Sequence, residues 1–228
     1  MSTVGESVAA RTASNRVRIA ELYDEIPADR LGTASLCAGW DLRTLLGHLV
    51  MPLVIPPARL VGSAVRHGSV HRASAALAAE LGRRPVSELT AVLRERAART
   101  VWAPGVGPMG QFVDGCVHLR DAARPLGADV DVPPHDWALV LSWLPTRAAG
   151  LGHVPRGLLT GLSWHASDVD FRHGSGPEVC GPAEVLALAM TGRAVVVPEL
   201  TGSGVAELRG RLTAAGAPGH GRVDPAGD

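Results

Sequence analysis

The chain has very little with which to build an aromatic core. Among its 228 residues there are two Phe, one Tyr and five Trp, although 46% of the sequence is hydrophobic. Ala, Leu and Val must therefore supply most of the buried surface. Small side chains let backbones approach closely, so the default arrangement is a set of tightly packed helices. The length suffices for one or two domains with a sizeable core.

Charge narrows the partners. Twenty-two basic residues balance twenty-two acidic ones, which argues against a dedicated nucleic-acid binder, since that would carry a basic excess. Every basic residue is arginine, so neither a Schiff-base lysine nor a phosphate-loop lysine is available. The stretch GSGPEVCG has glycines but no following Lys and no dinucleotide spacing, and it reads as a hairpin turn. No apolar run reaches the roughly 20 residues of a membrane helix. The opening MSTVGESVAARTASNRVR lacks the apolar segment of a secretory signal. Cys37, Cys116 and Cys180 form an odd set without C-x-x-C spacing, which suits a reduced, cytoplasmic chain.

Periodicity makes the first 150 residues mostly helical. Residues 7–26 place Val8, Ile19, Leu22 and Ile26 near one face, with Thr12 and Asn15 diluting the stripe. Pro27 ends that helix, and a turn-rich loop, PADRLGTASLCAG, follows. Asp41 is placed to N-cap DLRTLLGHLVM, which Pro52, Pro56 and Pro57 then kink or break. The Ala-rich HRASAALAAELG is a third helix with Gly82 as its C′ residue, and Ser87 is the expected N-cap of a fourth. Pro108 opens a helix running to about Arg124, ended by Pro125 and Gly127, and PHDWALVLSWLPTRAAG supplies another.

After Gly150 the pattern changes. Leu162, Trp164 and Ala166 alternate with Ser163, His165 and Ser167, the period of a half-buried strand. FRHGSGPEVCG reads as a turn and one second strand, PAEVLALAMTGR as a helix with Pro182 in its first turn, and TGSGVAELRGRL as a further helix. The expected organisation is a helical domain over 1–150, a small α+β domain over 155–213 and a disordered tail over 214–228.

Nine histidines invite a search for metal ligands. Most, including His135, His153, His165 and His173, read as ordinary surface or capping residues. His48 and His118 differ, because each interrupts an apolar helical run, and a buried imidazole requires a hydrogen bond or a metal. Asp114 and His118 are one helical turn apart and share a face. Such a pair can ligate a divalent ion with a third ligand from a facing helix, and His48 is the natural choice. Three protein ligands would leave a position open for water or substrate. Zn²⁺ suits this donor set, with Ni²⁺, Fe²⁺ and Mn²⁺ as alternatives. The competing reading is a helix-surface Asp–His hydrogen bond beside an unrelated core histidine. Asp121 either orients His118 as a hydrogen-bond acceptor or pairs with Arg124. Cys116 lies off the Asp114–His118 face, Cys37 and Cys180 fall in loops, and all three read as structural.

Taken in order, these segments resemble the mycothiol-dependent maleylpyruvate isomerase family. CAGWDLRTLLGHLV is similar to the Trp-then-helix segment carrying that family's first metal histidine. DGCVHLRDAARPLG is similar to its acidic-x₃-His pair with the following Asp and Arg-Pro-Leu-Gly. SWHASDVDFRHGSGPEVCGPAEVLALAMTGR is similar to the C-terminal domain often attached to it. The resemblance spans residues 8–212 and implies a mainly α fold: a DinB-like four-helix bundle with a divalent metal, usually zinc, followed by a small α+β domain.

By the same resemblance, His48, Asp114 and His118 would be the metal ligands. The acidic position is commonly Glu in the family, and Asp is one methylene shorter, which would draw a metal toward its helix or weaken its binding. Arg193 would contact an anionic group of cofactor or substrate, against the alternative of an arginine complementing a helix C-terminus. Asp121 and Arg193 are the candidate catalytic residues. The implied chemistry is that of a cytoplasmic isomerase or S-transferase, a monomer or homodimer. It would take mycothiol as a small-molecule thiol, activate it on the metal and direct it to an electrophilic substrate. Two other readings stand beside it: a non-catalytic metal-binding or regulatory module, and a metal-dependent hydrolase with Asp121 as general base.

Overall fold

The computed structural model describes residues 7–101 and 105–214. The expected disordered tail falls almost wholly outside these residues. The fold is mostly helical with a small three-stranded sheet near the C-terminus, as the sequence pattern requires. The chain forms two compact units, and one long helix, α6 (Pro108–Leu126), contributes its first half to the second unit and its second half to the first.

The first unit holds α1 (Val8–Asp24), α2 (Leu42–Val54), α3 (Pro57–His67), α4 (Val70–Gly82) and α5 (Val86–Glu95). Ser7 caps α1 through the Ala10 amide, and Asp41 caps α2 through the Thr44 amide at 2.8 Å. The core is aliphatic: Leu42, Leu45, Leu46 and Val50 of α2 are buried with Ala73 and Ala78 of α4 and with Leu89 and Leu93 of α5. Helices α2 and α4 meet through glycines. A Cβ on Gly47 would overlap the Ala78 carbonyl, and one on Gly82 would overlap the Arg43 carbonyl. Gly82 is thus a contact residue inside α4, not the C′ residue expected from its place in the sequence. Its function is close approach of backbones rather than a left-handed turn.

Other boundaries differ from the sequence reading: α6 runs through Pro125 to Leu126 instead of ending at the proline, which lies in the last turn, where only one acceptor loses its donor. Pro52 does not end α2, which continues to Val54; α3 then begins with Pro57 at its first position. Pro85, not Ser87, occupies the N-cap of α5. Arginines close several helix ends. Arg16 donates to the carbonyls of Arg96, Ala97 and Arg99, while Arg96 and Arg99 both donate to the Leu53 carbonyl at the end of α2. The Leu53 carbonyl is one that the C-terminus of α2 leaves without an amide donor, and the acceptors of Arg16 lie in the turn that follows α5.

The second unit holds α7 (Pro134–Trp143), β1 (Ser163–Ala166), β2 (Arg172–Gly174), β3 (Glu178–Gly181), α8 (Ala183–Met190) and α9 (Val205–Ala214). The sheet order is β2-β1-β3, with β1–β2 antiparallel and β1–β3 parallel. FRHGSGPEVCG therefore contains two strands, and its glycines do not form a hairpin between paired neighbours. They carry the chain across β1 to its other edge. Gly174 and Gly176 have positive φ and lie so close to the Leu162 and Gly161 carbonyls that a Cβ would collide. Trp164 and Val179 fill the buried face, while His165, Glu178 and Cys180 face the other way. Cys180 lies on a strand, not in a loop. Pro182 is the N-cap of α8, one position before the first turn, and the Asp168 carboxylate accepts from the Ala183 amide at 2.8 Å.

Candidate metal centre

The centre is built on α2 and α6. His48 lies midway along α2, one turn before Pro52, so the residue that would normally donate to its carbonyl is a proline. Asp114 and His118 lie one turn apart on α6. The rings of His48 and His118 are 5.0 Å apart between centroids and nearly perpendicular, and the Trp40 ring lies at the same centroid distance from His48. One ligand atom each from His48, Asp114 and His118 lies within 4.8 Å of the others. In a tetrahedral zinc site with bonds near ~2.0–2.2 Å, N and O donors stand about 3.3–3.6 Å apart. The donor set of two imidazoles and a carboxylate is one that zinc-class ions accept.

His118 is held from behind. Its Nδ1 lies 2.7 Å from Asp121 Oδ2, and both residues are buried. With Asp121 ionised, Nδ1 is the donor, and Nε2 becomes the nitrogen through which the ring can ligate. Cys37 donates its thiol proton to the same Oδ2 at 3.3 Å, and its Sγ is 3.7 Å from His118 Nδ1. These three residues lie close enough to form a second potential ligand cluster. The hydrogen bonds already present make it the support of the first.

A proline one turn beyond brings Cys37 there. Pro125 lies inside α6 and has no amide to offer the Asp121 carbonyl. The Leu36 amide takes that acceptor at 3.1 Å, tying the loop that carries Cys37 to α6. Ser35 closes the same loop by bonding the Trp40 carbonyl and the Cys37 amide.

Asp114 has a second neighbour in His153, whose Nε2 is 3.1 Å from its Oδ1. The approach is off the direction of an ideal hydrogen bond, so the attraction is chiefly one of charge. Burial alone would lower the His153 pKa and Arg193 acts the same way, but Asp114 and the Gly110 backbone outweigh both and hold it above the ordinary imidazole value. Trp143 packs edge-on against the His153 ring. Arg193 is buried at the end of the turn after α8, where it donates to the Thr191 carbonyl at 2.6 Å.

No family model and no curated protein matches this chain. Two solved structures do. One is a mycothiol-dependent maleylpyruvate isomerase, with 15% identity, a TM-score of 0.56 and coverage of 86% of this chain and 91% of that one. The other is a point mutant of the mycothiol-dependent maleylpyruvate isomerase, with 14% identity, a TM-score of 0.57 and the same coverage. The chain shares their fold. At this identity the likeness is one of architecture, and the chemistry must be argued from the side chains.

Of the residues singled out in the sequence, His48, Asp114, His118 and Asp121 come together, with Asp121 acting on His118 itself. Two residues at the centre had read as incidental. Cys37 had read as a structural loop cysteine, and its approach depends on a pairing 81 positions away in sequence from His118. His153 had read as an ordinary histidine at an element end, because nothing local marks it as a partner of Asp114. The only signal available for Cys37 was the Pro in DAARPLG, which implies a carbonyl seeking another donor.

Proposed function

We propose that this chain is a metal-dependent enzyme that activates a low-molecular-weight thiol for attack on an electrophile. The observation that carries the reading is the convergence of His48, Asp114 and His118, with His118 backed by Asp121. The shared fold with mycothiol-dependent maleylpyruvate isomerases supports it and suggests mycothiol as the thiol. Zn²⁺ is the proposed ion, from the donor set.

When bound, a divalent cation supplies charge that turns a thiol, with an ordinary pKa near ~8.5, into a thiolate. The protein's part is positional. His48 and His118 present imidazole nitrogens from two helices, and Asp114 adds the negative charge that makes the site a cation site. Asp121 holds His118 in one orientation and one tautomer, while Cys37 donates to the same carboxylate oxygen. Arg193 is proposed as the contact for an anionic group on cofactor or substrate. An isomerase or S-transferase acting in the cytoplasm on small molecules is the resulting reading. No helix of the described residues is long and apolar enough to cross a membrane.

The hydrolase alternative needs Asp121 as its general base, and it is disfavoured because that carboxylate is buried and already accepts from His118 and Cys37. The non-catalytic alternative is addressed by experiment. His48→Ala and His118→Ala are expected to lose about one equivalent of metal relative to the parent while far-UV circular dichroism stays unchanged. Equal metal in all three would refute the site. Product formation from an electrophile such as maleylpyruvate should require added mycothiol. Metal binding without thiol-dependent turnover would leave a binding module.

A further inference from the structure

A separate set of donor atoms lies on the solvent-facing side of the three-stranded sheet. His165 of β1 and Cys180 of β3 are directly paired in the parallel register, and Glu178 is two residues before Cys180, hence on the same face. The His165 Nδ1 is 3.9 Å from the Cys180 Sγ and 3.9 Å from a Glu178 carboxylate oxygen, and the three ligand atoms lie within 4.8 Å of one another. Cys180 is a free thiol.

The geometry points to a second metal site, on this sheet, that takes a zinc-class divalent transition ion through His165, Glu178 and Cys180. Three arguments carry it. The first is spacing: tetrahedral zinc with N and S donors at about 2.0 and 2.3 Å holds them roughly 3.5 Å apart, so the His165–Cys180 pair needs to close by only a few tenths of an ångström, and the exposed Glu178 side chain can swing in by up to about an ångström to complete the set. The second is rigidity. The Cys180 amide and carbonyl each pair with Thr201 at 2.8 Å on the side away from β1, and the Glu178 carbonyl accepts from the Gly204 amide at 2.7 Å. Both donor-bearing positions of β3 are therefore fixed by backbone bonds and do not depend on a mobile loop.

The third argument is chemistry. A thiolate, an imidazole and a carboxylate together select borderline ions such as Zn²⁺ or Co²⁺ over Mg²⁺ or Ca²⁺. Glu178 is exposed, so an ion has an open path and a fourth position facing water. Arg172, cross-strand from His165 on β2, is also exposed, and solvent screens its charge. None of these residues belongs to the α2–α6 centre, so this site stands or fails independently of the proposed activity.

Zinc is spectroscopically silent, so Co²⁺ is the probe. The full-length chain is produced in cobalt-supplemented medium and brought to saturation with further Co²⁺. The expected result is a near-ultraviolet thiolate-to-cobalt charge-transfer band that is retained in Cys37→Ser and lost in Cys180→Ser. Glu178→Gln alters only an exposed side chain and so cannot be confused with misfolding; it should weaken the Co²⁺ affinity that this band reports by about tenfold or more. Absence of the band in the parent, its survival in Cys180→Ser, its loss in Cys37→Ser alone, or an unchanged affinity in Glu178→Gln would each overturn the three-residue site.

Discussion

The Leu36 amide bonds the Asp121 carbonyl, the acceptor that Pro125 leaves without an intrahelical donor. That bond connects a backbone irregularity to the chemistry of the centre. The same Asp121 presents its carboxylate to His118, and the loop it anchors delivers Cys37 to that carboxylate. A helix-breaking residue here is tolerated because its cost is converted into a tertiary contact.

Asp121→Asn should keep the fold and weaken metal binding by roughly 10–100-fold, because an amide no longer sets the His118 tautomer or raises its basicity. Competition of the purified variant against a chromophoric chelator reads this directly. An affinity equal to the parent's would show that Asp121 has no role behind His118.

Gly47→Ala and Gly82→Ala should each destabilise the first unit by about 1–3 kcal/mol or more, since the added methyl meets backbone carbonyls that cannot rotate away. The sign is diagnostic. Were Gly82 only a residue of high chain entropy in a helix, Ala would stabilise it by up to about 1 kcal/mol. Urea unfolding of the two variants distinguishes the outcomes.

His153 gives a pH signature in chelator-treated protein. Its folded pKa lies above the ordinary value of 6.5, chiefly through Asp114 acting against burial. A raised pKa means the folded state binds the proton more tightly. The stabilisation is therefore fully present below the unfolded pKa and fades as pH rises through the folded one. His153→Gln should cost more stability at acidic than at alkaline pH. Thermal melts across that range would show a difference that narrows with rising pH, and a constant difference would contradict the pairing.

Asp168→Ala removes the side-chain cap from the first turn of α8 and should cost about 1 kcal/mol, with Asp168→Ser recovering part of it. Chemical denaturation of the three proteins provides the comparison.

Features that depend on neighbours in sequence were legible in advance. The cap at Asp41, the buried alternation of Leu162, Trp164 and Ala166, and the shared face of Asp114 and His118 all follow from local sequence and from helical or strand periods. His48 could be selected because an imidazole in an apolar run is conspicuous. Gly82, Cys37, His153 and the order of the strands were not legible, since each takes its meaning from a segment far away in the chain. A glycine reads as a terminator until a second backbone is found against it, and two short strands read as a hairpin until the strand between them is known.

The sequence by itself determined that this chain would be helical, aliphatic in its core, and furnished with an Asp–His pair one turn apart. Those properties arise from side-chain volume and backbone period, which act over a few residues. Tertiary structure alone decided that His48 would face His118, that Cys37 would reach Asp121, and that Cys180 would lie beside His165. Such contacts depend on how distant segments pack and register, and no local energy term specifies that.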